Sequence, residues 1–233
     1  MKSSRRVSCV VFGLFLLAGV LGGAGCVSRG AGGVAVDAEI RMLAGSAWTA
    51  WQRGETAQAA SLYERALARA RLIDDSGETA RNAYNLALCR TVEGRFDEAR
   101  ALLAQARVLL PSRSPEAART WVAEAETAQR QGKLEDVQGL VQRGWEAGAD
   151  RSARAQSHLL LADLACVRGD WPTARRELAV ARRELRGLDV PELEGRAEGV
   201  AACLARSEGD LKAMAGALER RAGWCRRAGR FDD

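Results

Sequence analysis

Cysteine and histidine are among the residues of this 233-residue sequence whose side chains could act as nucleophiles, proton carriers or metal ligands. There is one histidine, His158, and there are six cysteines. A metal site needs several ligands at short spacing, and no second histidine and no histidine–cysteine pair supplies them. No nucleophile elbow, phosphate-binding loop or dinucleotide fingerprint occurs. We therefore predict that the protein is not an enzyme, that it uses no metal or cofactor, and that His158 is a packed core or groove residue.

Cys26 is the cysteine with a distinctive position, because it follows a segment with the layout of a secretory signal. The cations Lys2, Arg5 and Arg6 precede an uncharged apolar stretch at residues 7–21, and residues 22–25 read Gly-Gly-Ala-Gly. The sequence Gly-Ala-Gly-Cys at residues 23–26 resembles the lipobox of bacterial lipoproteins, with Gly where that motif usually has Leu. The resemblance implies cleavage before Cys26 and lipid attachment to its sulfur and its amine. Two or three acyl chains give stable membrane anchoring.

The lipoprotein resemblance divides the N-terminal part of the chain in two. It predicts a signal peptide at residues 1–25, and a lipidated cysteine with a flexible Gly-rich tether at residues 26–37. Val27, rather than Asp, follows the cysteine. By resemblance to enterobacterial lipoproteins, this implies the periplasmic face of the outer membrane. The alternatives are the inner membrane or an uncleaved N-terminal anchor, since the apolar stretch is just long enough to span a bilayer.

Composition favours helices for the remainder of the chain. Aromatic residues make up 5% of the sequence, and its apolar residues are mostly Ala, Leu and Val. Ala and Leu are strong helix formers, whereas strands prefer β-branched and aromatic residues. Without the three leader cations the net charge falls from +5 to +2. Basic residues alternate with acidic ones and form no stripe with aromatic platforms, so we predict no nucleic-acid partner.

One pattern recurs five times along residues 54–221. It consists of a glycine, an apolar residue five positions later (Ala in three copies, Val137 and Met214 in the others), a bulky residue at position nine and a small residue at position twelve, which Arg221 replaces in the fifth copy. The copies lie 40, 38, 37 and 40 residues apart, and they begin at Gly54, Gly94, Gly132, Gly169 and Gly209. We interpret each copy as a helix–turn–helix in which the glycine ends the first helix with a left-handed backbone. The small residues allow close helix approach, and the bulky residue fills the gap between the helices.

The second copy resembles the tetratricopeptide repeat (TPR). It reads Asn-Leu-Ala at residues 85–87, Gly-Arg-Phe-Asp-Glu-Ala at 94–99 and Leu-Pro at 110–111. The resemblance implies an all-α solenoid of about five TPR-like repeats at residues 38–233, and residues 210–227 fit one long final helix. The alternative is a plain helical bundle with Ala-rich contacts.

The TPR resemblance also implies which residues face a partner, because first helices line the concave side of such arrays. The groove positions implied are Arg41, Trp48, Arg81, Tyr84, Arg119, Glu126, Gln129, Gln156, Asp163, Arg196 and Arg206. Arginine occupies four of five equivalent sites and could bind an acidic peptide or a carboxylate. The alternative is that these arginines are solvated or pair with neighbouring glutamates.

Four cysteines remain beyond the leader and the anchor, and they are Cys89, Cys166, Cys203 and Cys225. In an oxidising periplasm they could pair. Neighbouring repeats would bring Cys166 and Cys203 nearest, but their register differs by about a helical turn, which disfavours a disulfide. The alternative is that each is a small buried apolar residue.

These features together predict a non-enzymatic, membrane-anchored adaptor that binds a protein or peptide ligand in the bacterial cell envelope. Two alternatives rest on analogy. One is a component of a secretion, pilus or outer-membrane assembly machine, and the other is a regulator of an envelope hydrolase. The sequence does not fix an oligomeric state.

Overall fold

The computed structural model describes residues 37–228, which form helices joined by short turns. The helices are α1 (Ala38–Gln52), α2 (Thr56–Leu72), α3 (Ser76–Val92), α4 (Phe96–Leu109), α5 (Pro115–Gln131), α6 (Leu134–Glu146), α7 (Arg151–Arg168), α8 (Trp171–Leu185), α9 (Pro191–Glu208) and α10 (Leu211–Arg227). The described range contains no strand, and the all-α prediction is confirmed. The predicted signal peptide, Cys26, the tether up to residue 36 and residues 229–233 lie outside the described residues.

The ten helices form five hairpins, and each hairpin turns at a glycine of the recurring pattern. The five glycines have backbone φ angles between +72° and +83°, in the left-handed region where a side chain is disfavoured. The helix boundaries predicted from the glycines are confirmed, and so is the single final helix, α10.

Four of the five first helices begin at a short polar side chain that caps them. Asp37, Asp75, Ser114 and Asp150 each accept a hydrogen bond from a backbone N–H of the first turn of α1, α3, α5 and α7. Such a cap satisfies a backbone donor that has no partner within the helix. The cap of α7 also takes part in the candidate site below.

The core follows the pattern of small and bulky residues. At position nine, Tyr63, Leu103, Val141 and Leu178 are buried, and the residues at positions five and twelve of the same copies are buried around them. Leucine and tyrosine side chains therefore fill space that alanine leaves between adjacent helices. In the fifth copy, Leu218 remains 45% exposed.

Gly144 shows how closely the helices of one repeat approach each other. A Cβ atom at this residue of α6 would lie 3.1 Å from Cγ2 of Val122 and 3.4 Å from the carbonyl oxygen of Ala118, both in α5. The first of these distances is tighter than ordinary van der Waals contact, so an alanine here would require Val122 to shift by a few tenths of an ångström. The small residue at position twelve is thus a packing requirement in this repeat.

Contacts between the helices are local along the chain, as in a solenoid. Each helix packs on its neighbours in sequence, and among the described residues no extensive contact joins helices more than two positions apart. The first helices α3, α5, α7 and α9 also pack on one another in series, whereas no two second helices share an extensive contact. Because elements on the inner side of a curve are closest, the first helices line the concave face. The α-solenoid is confirmed, and the plain bundle is not what forms.

Candidate functional site on the concave face

Five of the predicted groove residues form one connected set on α5, α7 and α9. We call this set the central network, and its members are Glu126, Gln129, Gln156, Asp163 and Arg196. Nε of Arg196 donates to Oδ2 of Asp163 at 2.8 Å, and Nη2 of Arg196 donates to Oε1 of Gln129 at 2.9 Å. Nε2 of Gln156 donates to Oε2 of Glu126 at 2.8 Å. The structure therefore brings together residues that are spread over three repeats of the sequence.

Arg196 spans the central network from end to end. Its guanidinium extends from α9 past α7 to α5, where it also lies 3.8 Å from the carboxylate of Glu126. The side chain is only 22% exposed, and its hydrogen-bond donors face Asp163 and Gln129. Hydrogen bonds that involve a charged group are worth about 1.5–3 kcal/mol each, so this arginine ties the three first helices together.

Glu126 is the electrostatic centre of the network. Burial by itself would raise the pKa of Glu126, but the positive charges of Arg196 and Arg130 and the hydrogen bonds from Gln156 and Arg130 outweigh it. The pKa of Glu126 therefore lies below its ordinary value, and the carboxylate is ionised at neutral pH. An ionised Glu126 keeps the arginines of this region in place.

A second polar group joins α5 to the start of α7. Arg119 forms an ion pair with Asp150, the residue that caps α7. Burial would raise the pKa of Asp150, but the backbone N–H of Ala153 and the Arg119 guanidinium together lower it. Tyr84 of α3 lies beside this group, and burial together with the charges of Glu126 and Asp150 raises the pKa of Tyr84 to about 12. Tyr84 is accordingly a neutral phenol.

The predicted groove residues of α1 and α3 have different surroundings. Trp48 is 52% exposed, and Arg41 is exposed without an ion-pair partner among the described residues. Arg81 is 65% exposed and pairs with Glu78 one turn earlier in α3, at 2.6 Å. Within residues 37–228, no ion pair joins α1 to α3. At this end of the concave face, the side chains therefore make few bonds within the protein.

The predicted row of equivalent arginines is mostly occupied by internal contacts. Arg81 pairs with Glu78, Arg119 with Asp150, and Arg196 with the central network. Of the arginines at this register position, only Arg41 lacks a carboxylate partner among the described residues. Three of these four arginines therefore pair with acidic residues of the protein itself.

At the other end of the face, Arg206 is exposed near two cysteines. The thiol of Cys166 in α7 lies close to the thiol of Cys203 in α9. Burial and this neighbouring thiol raise the pKa of Cys166 to about 12. This agrees with the expectation that neighbouring repeats would bring these two cysteines nearest. A three-residue offset is only about 4.5 Å of helix rise, which the packing of α7 against α9 takes up. All four cysteines of the described range carry free thiols.

Sequence reasoning missed two members of this surface, Arg130 and Asp150. Arg130 lies four residues after Glu126 on α5 and pairs with it at 3.2 Å. That spacing is the usual one for ion pairs on a helix and could have identified Arg130. Asp150 directly precedes α7, and an aspartate just before a helix is a signal for a capping residue.

His158, the sole histidine, lies away from the concave network. Its Nδ1 atom is 2.8 Å from Oε2 of Glu177 in α8, and its ring packs on Trp145 of α6 with 5.3 Å between the ring centroids. The indole nitrogen of Trp145 is buried and has no hydrogen-bond partner in the described structure. His158 thus joins α7 to the second helices of two repeats, as a packed residue.

The described residues contain neither a group of metal ligands nor a membrane-spanning helix. Within residues 37–228, no group of three or more His, Cys, Asp and Glu side chains is arranged as a metal site. No helix of the same range is both long enough and apolar enough to cross a bilayer.

Solved structures provide the comparison with known proteins. BtubC (BKLC) from P. vanneervenii is similar over 81% of this chain and 80% of its own, with a TM-score of 0.60 and 19% sequence identity. A kinesin light chain-like protein of Podosopora anserina with nearly identical TPR-like repeats is similar over 82% of this chain and 97% of its own, with a TM-score of 0.55 and 18% identity. At these identities the likeness shows the fold, which is a TPR-like solenoid.

Comparison of sequences, unlike comparison of structures, finds no similar protein. No protein-family model matches the chain, and no curated protein matches it. The TPR resemblance deduced from the recurring glycine pattern is nonetheless confirmed at the level of the fold, because the structurally similar proteins are built from TPR-like repeats.

Proposed function

We propose that the protein is a non-enzymatic adaptor, anchored by lipid to the bacterial outer membrane, that holds another envelope protein on its concave face. The observation that carries this proposal is the concave face, along which the first helices α3, α5, α7 and α9 pack on one another in series and present polar and aromatic side chains. Solenoids of this kind present extended concave surfaces for partners. The geometry of this face supports the adaptor role.

The anchoring part of the proposal is supported by the N-terminal sequence. Cations, an uncharged apolar stretch and small residues precede Cys26 in the order typical of an exported lipoprotein. Lipid on Cys26 would restrict the adaptor to a membrane surface, and the Gly-rich residues after it would allow the solenoid some reach. Val27 supports the outer membrane as the destination.

Metabolic labelling tests the anchor. The full-length chain is expressed in a Gram-negative host with a clickable palmitate analogue, and label incorporation and membrane fractionation are measured. We expect Cys26→Ala to abolish labelling and to leave an unprocessed precursor. The matched control is Cys9→Ala, which removes a cysteine from the leader and should change neither result. Unlabelled wild-type protein that still sediments with membranes at the mass of the intact chain would instead identify an uncleaved anchor.

In-cell photo-crosslinking tests the adaptor role. A photo-reactive amino acid is placed at exposed concave positions of the full-length chain, and a convex position such as Gln138 on α6 provides the control. We expect a discrete crosslinked species from the concave positions that Gln138 does not give. Identical products from both faces, or none from either, would contradict an adaptor that works through the concave face.

A further inference from the structure

The concave face divides into two parts. In one part the side chains are bonded to each other, and in the other most of them are not. The first part is the central network on α5, α7 and α9. We call the second part the α1–α3 surface, and its members are Arg41, Trp48, Arg81, Leu88 and Val92. Leu88 lies at the register position of Trp48, and Val92 precedes its turn glycine by two residues, as Arg130 does on α5.

The central network is already bonded within the protein. A ligand side chain that approached Glu126 or Asp163 would compete with Arg196 and Gln156 for the same oxygen atoms. Leaving a partly buried charged group without its partner is costly, so displacement of these bonds disfavours binding. A protein segment therefore gains little from this part of the face.

The α1–α3 surface has fewer internal bonds to lose, since the only ion pair of its members among the described residues joins Arg81 to Glu78. Arg41 and Trp48 are seven residues apart on α1, which places them two turns apart on one side of the helix. Arg41 has no ion-pair partner among the described residues, Trp48 is 52% exposed on the same side of α1, and Val92 of α3 is 40% exposed. The nearby acidic side chains of α1 and α3 are engaged, since Glu39 pairs with Arg69 and Glu78 is buried against Arg81.

We propose that the partner binds at the α1–α3 surface through a segment that carries carboxylates beside a bulky apolar side chain. The carboxylates match Arg41, which has no carboxylate partner among the described residues, and Arg81, whose side chain is 65% exposed although Glu78 pairs with it. The apolar side chain covers Trp48 and Val92, which are otherwise in contact with water. The proposal rests on the adaptor function and specifies both the place of binding and the chemistry of the ligand.

Fluorescence anisotropy with synthetic peptides tests this proposal on the full-length protein in detergent micelles. The first labelled peptide has Asp, Glu and Ser around one central Phe. In the second peptide Ala replaces the Phe, and in the third Lys replaces the acidic residues. We expect saturable binding of the first peptide, weaker binding of the second and none of the third. Equal binding of the first and second peptides would show that the apolar side chain does not contribute to binding. Preference for the third peptide would overturn the proposal that the ligand is acidic.

Variants locate the site. Arg41→Glu and Trp48→Gln should each weaken binding of the first peptide by about ten-fold or more, as expected for anchor residues of an interface. The matched control is Arg206→Glu, the same charge reversal at an exposed concave residue of α9, which should change binding by less than about two-fold. Circular dichroism checks that each variant is folded. Loss of binding in Arg206→Glu with normal binding in Arg41→Glu would overturn the proposal.

Crosslinking separates failure of this inference from failure of the adaptor role. The photo-reactive amino acid is placed at Thr49 on α1 in one variant and at Val167 on α7 in another, both of which are exposed. A partner crosslinked from Val167 but not from Thr49 would overturn binding at the α1–α3 surface while the adaptor role stands. Absence of crosslinks from both positions would contradict both proposals.

Discussion

The internal repeats and the terminal repeats of this solenoid use the same register positions in different surroundings. Leu178, at position nine of the fourth repeat, is 5% exposed, whereas Leu218 at the same position of the last repeat is 45% exposed. On the concave face, Asp163 is bonded to Arg196, whereas Trp48 at the equivalent position of α1 is exposed. In a solenoid each repeat is covered by its neighbours, so a repeat at the end of the described range lacks one set of contacts.

This comparison shows that register alone does not assign a role to a residue. The repeat pattern fixes which way a side chain faces, and the neighbouring repeat decides whether it is buried, bonded or available. Side chains without bonds to other described residues are accordingly concentrated at the end of the described range, as on α1.

Truncation of the two leucines at position nine should give the largest contrast. We expect Leu178→Ala to lower the free energy of unfolding by about 3 kcal/mol, since it removes buried contacts and leaves a cavity. Leu218→Ala should cost about 1 kcal/mol or less because much of its side chain already contacts water. Urea denaturation followed by circular dichroism measures both. Equal losses in the free energy of unfolding would show that α10 is covered in solution. They would contradict the difference between internal and terminal repeats.

Removal of the arginine of the central network comes next in size. We expect Arg196→Met to lower the free energy of unfolding by about 2 kcal/mol, because it leaves Asp163 and Glu126 partly buried without their main counter-charge. Arg41→Met, at the equivalent position of α1, should change it by less than about 0.5 kcal/mol. Denaturant melts compare the two variants. A loss in Arg41→Met as large as that in Arg196→Met would refute the division of the concave face.

The turn glycines should behave alike in terminal and internal repeats, because their requirement lies in the backbone. Gly54→Ala and Gly132→Ala should each cost about 1 kcal/mol, since both residues have a strongly positive φ and open space around the added methyl group. Gly139→Ala, inside α6 and equally uncrowded, should instead stabilise by about 0.5–1 kcal/mol. Thermal unfolding checks the three. A stabilising effect of Gly54→Ala would contradict the left-handed turn.

The smallest effect concerns pH. The pKa of Glu126 is lowered in the folded protein, so its contribution to stability is present above the ordinary pKa of about 4.5 and is lost as the pH falls through the folded-state value. Glu126→Gln should therefore flatten the pH dependence of the free energy of unfolding below about pH 4.5 and leave its shape near neutrality unchanged. Parallel pH dependence in wild type and variant would show that Arg196 does not act through this carboxylate.

The sequence determined the helices, the turns and the inward-facing residues. Glycine at the recurring turn positions is dictated by local backbone sterics, and the alternation of small and bulky residues follows from the helical period. These are short-range properties, which is why Gly132 and Leu103 could be assigned from spacing alone. The set of groove positions stays a prediction, which follows from the TPR-like register.

Only the tertiary structure decided what the groove residues do. Arg196 reaches Gln129 across an intervening helix, and Asp150 both caps α7 and pairs with Arg119. Neither contact is set by sequence spacing, because the offset and curvature between successive repeats come from side-chain packing over the whole array. The same packing brings Cys166 close to Cys203 despite the three-residue offset between them. The sequence thus determined which side chains face the concave surface, and packing between repeats decided which of them are bonded within the protein and which are left for a partner.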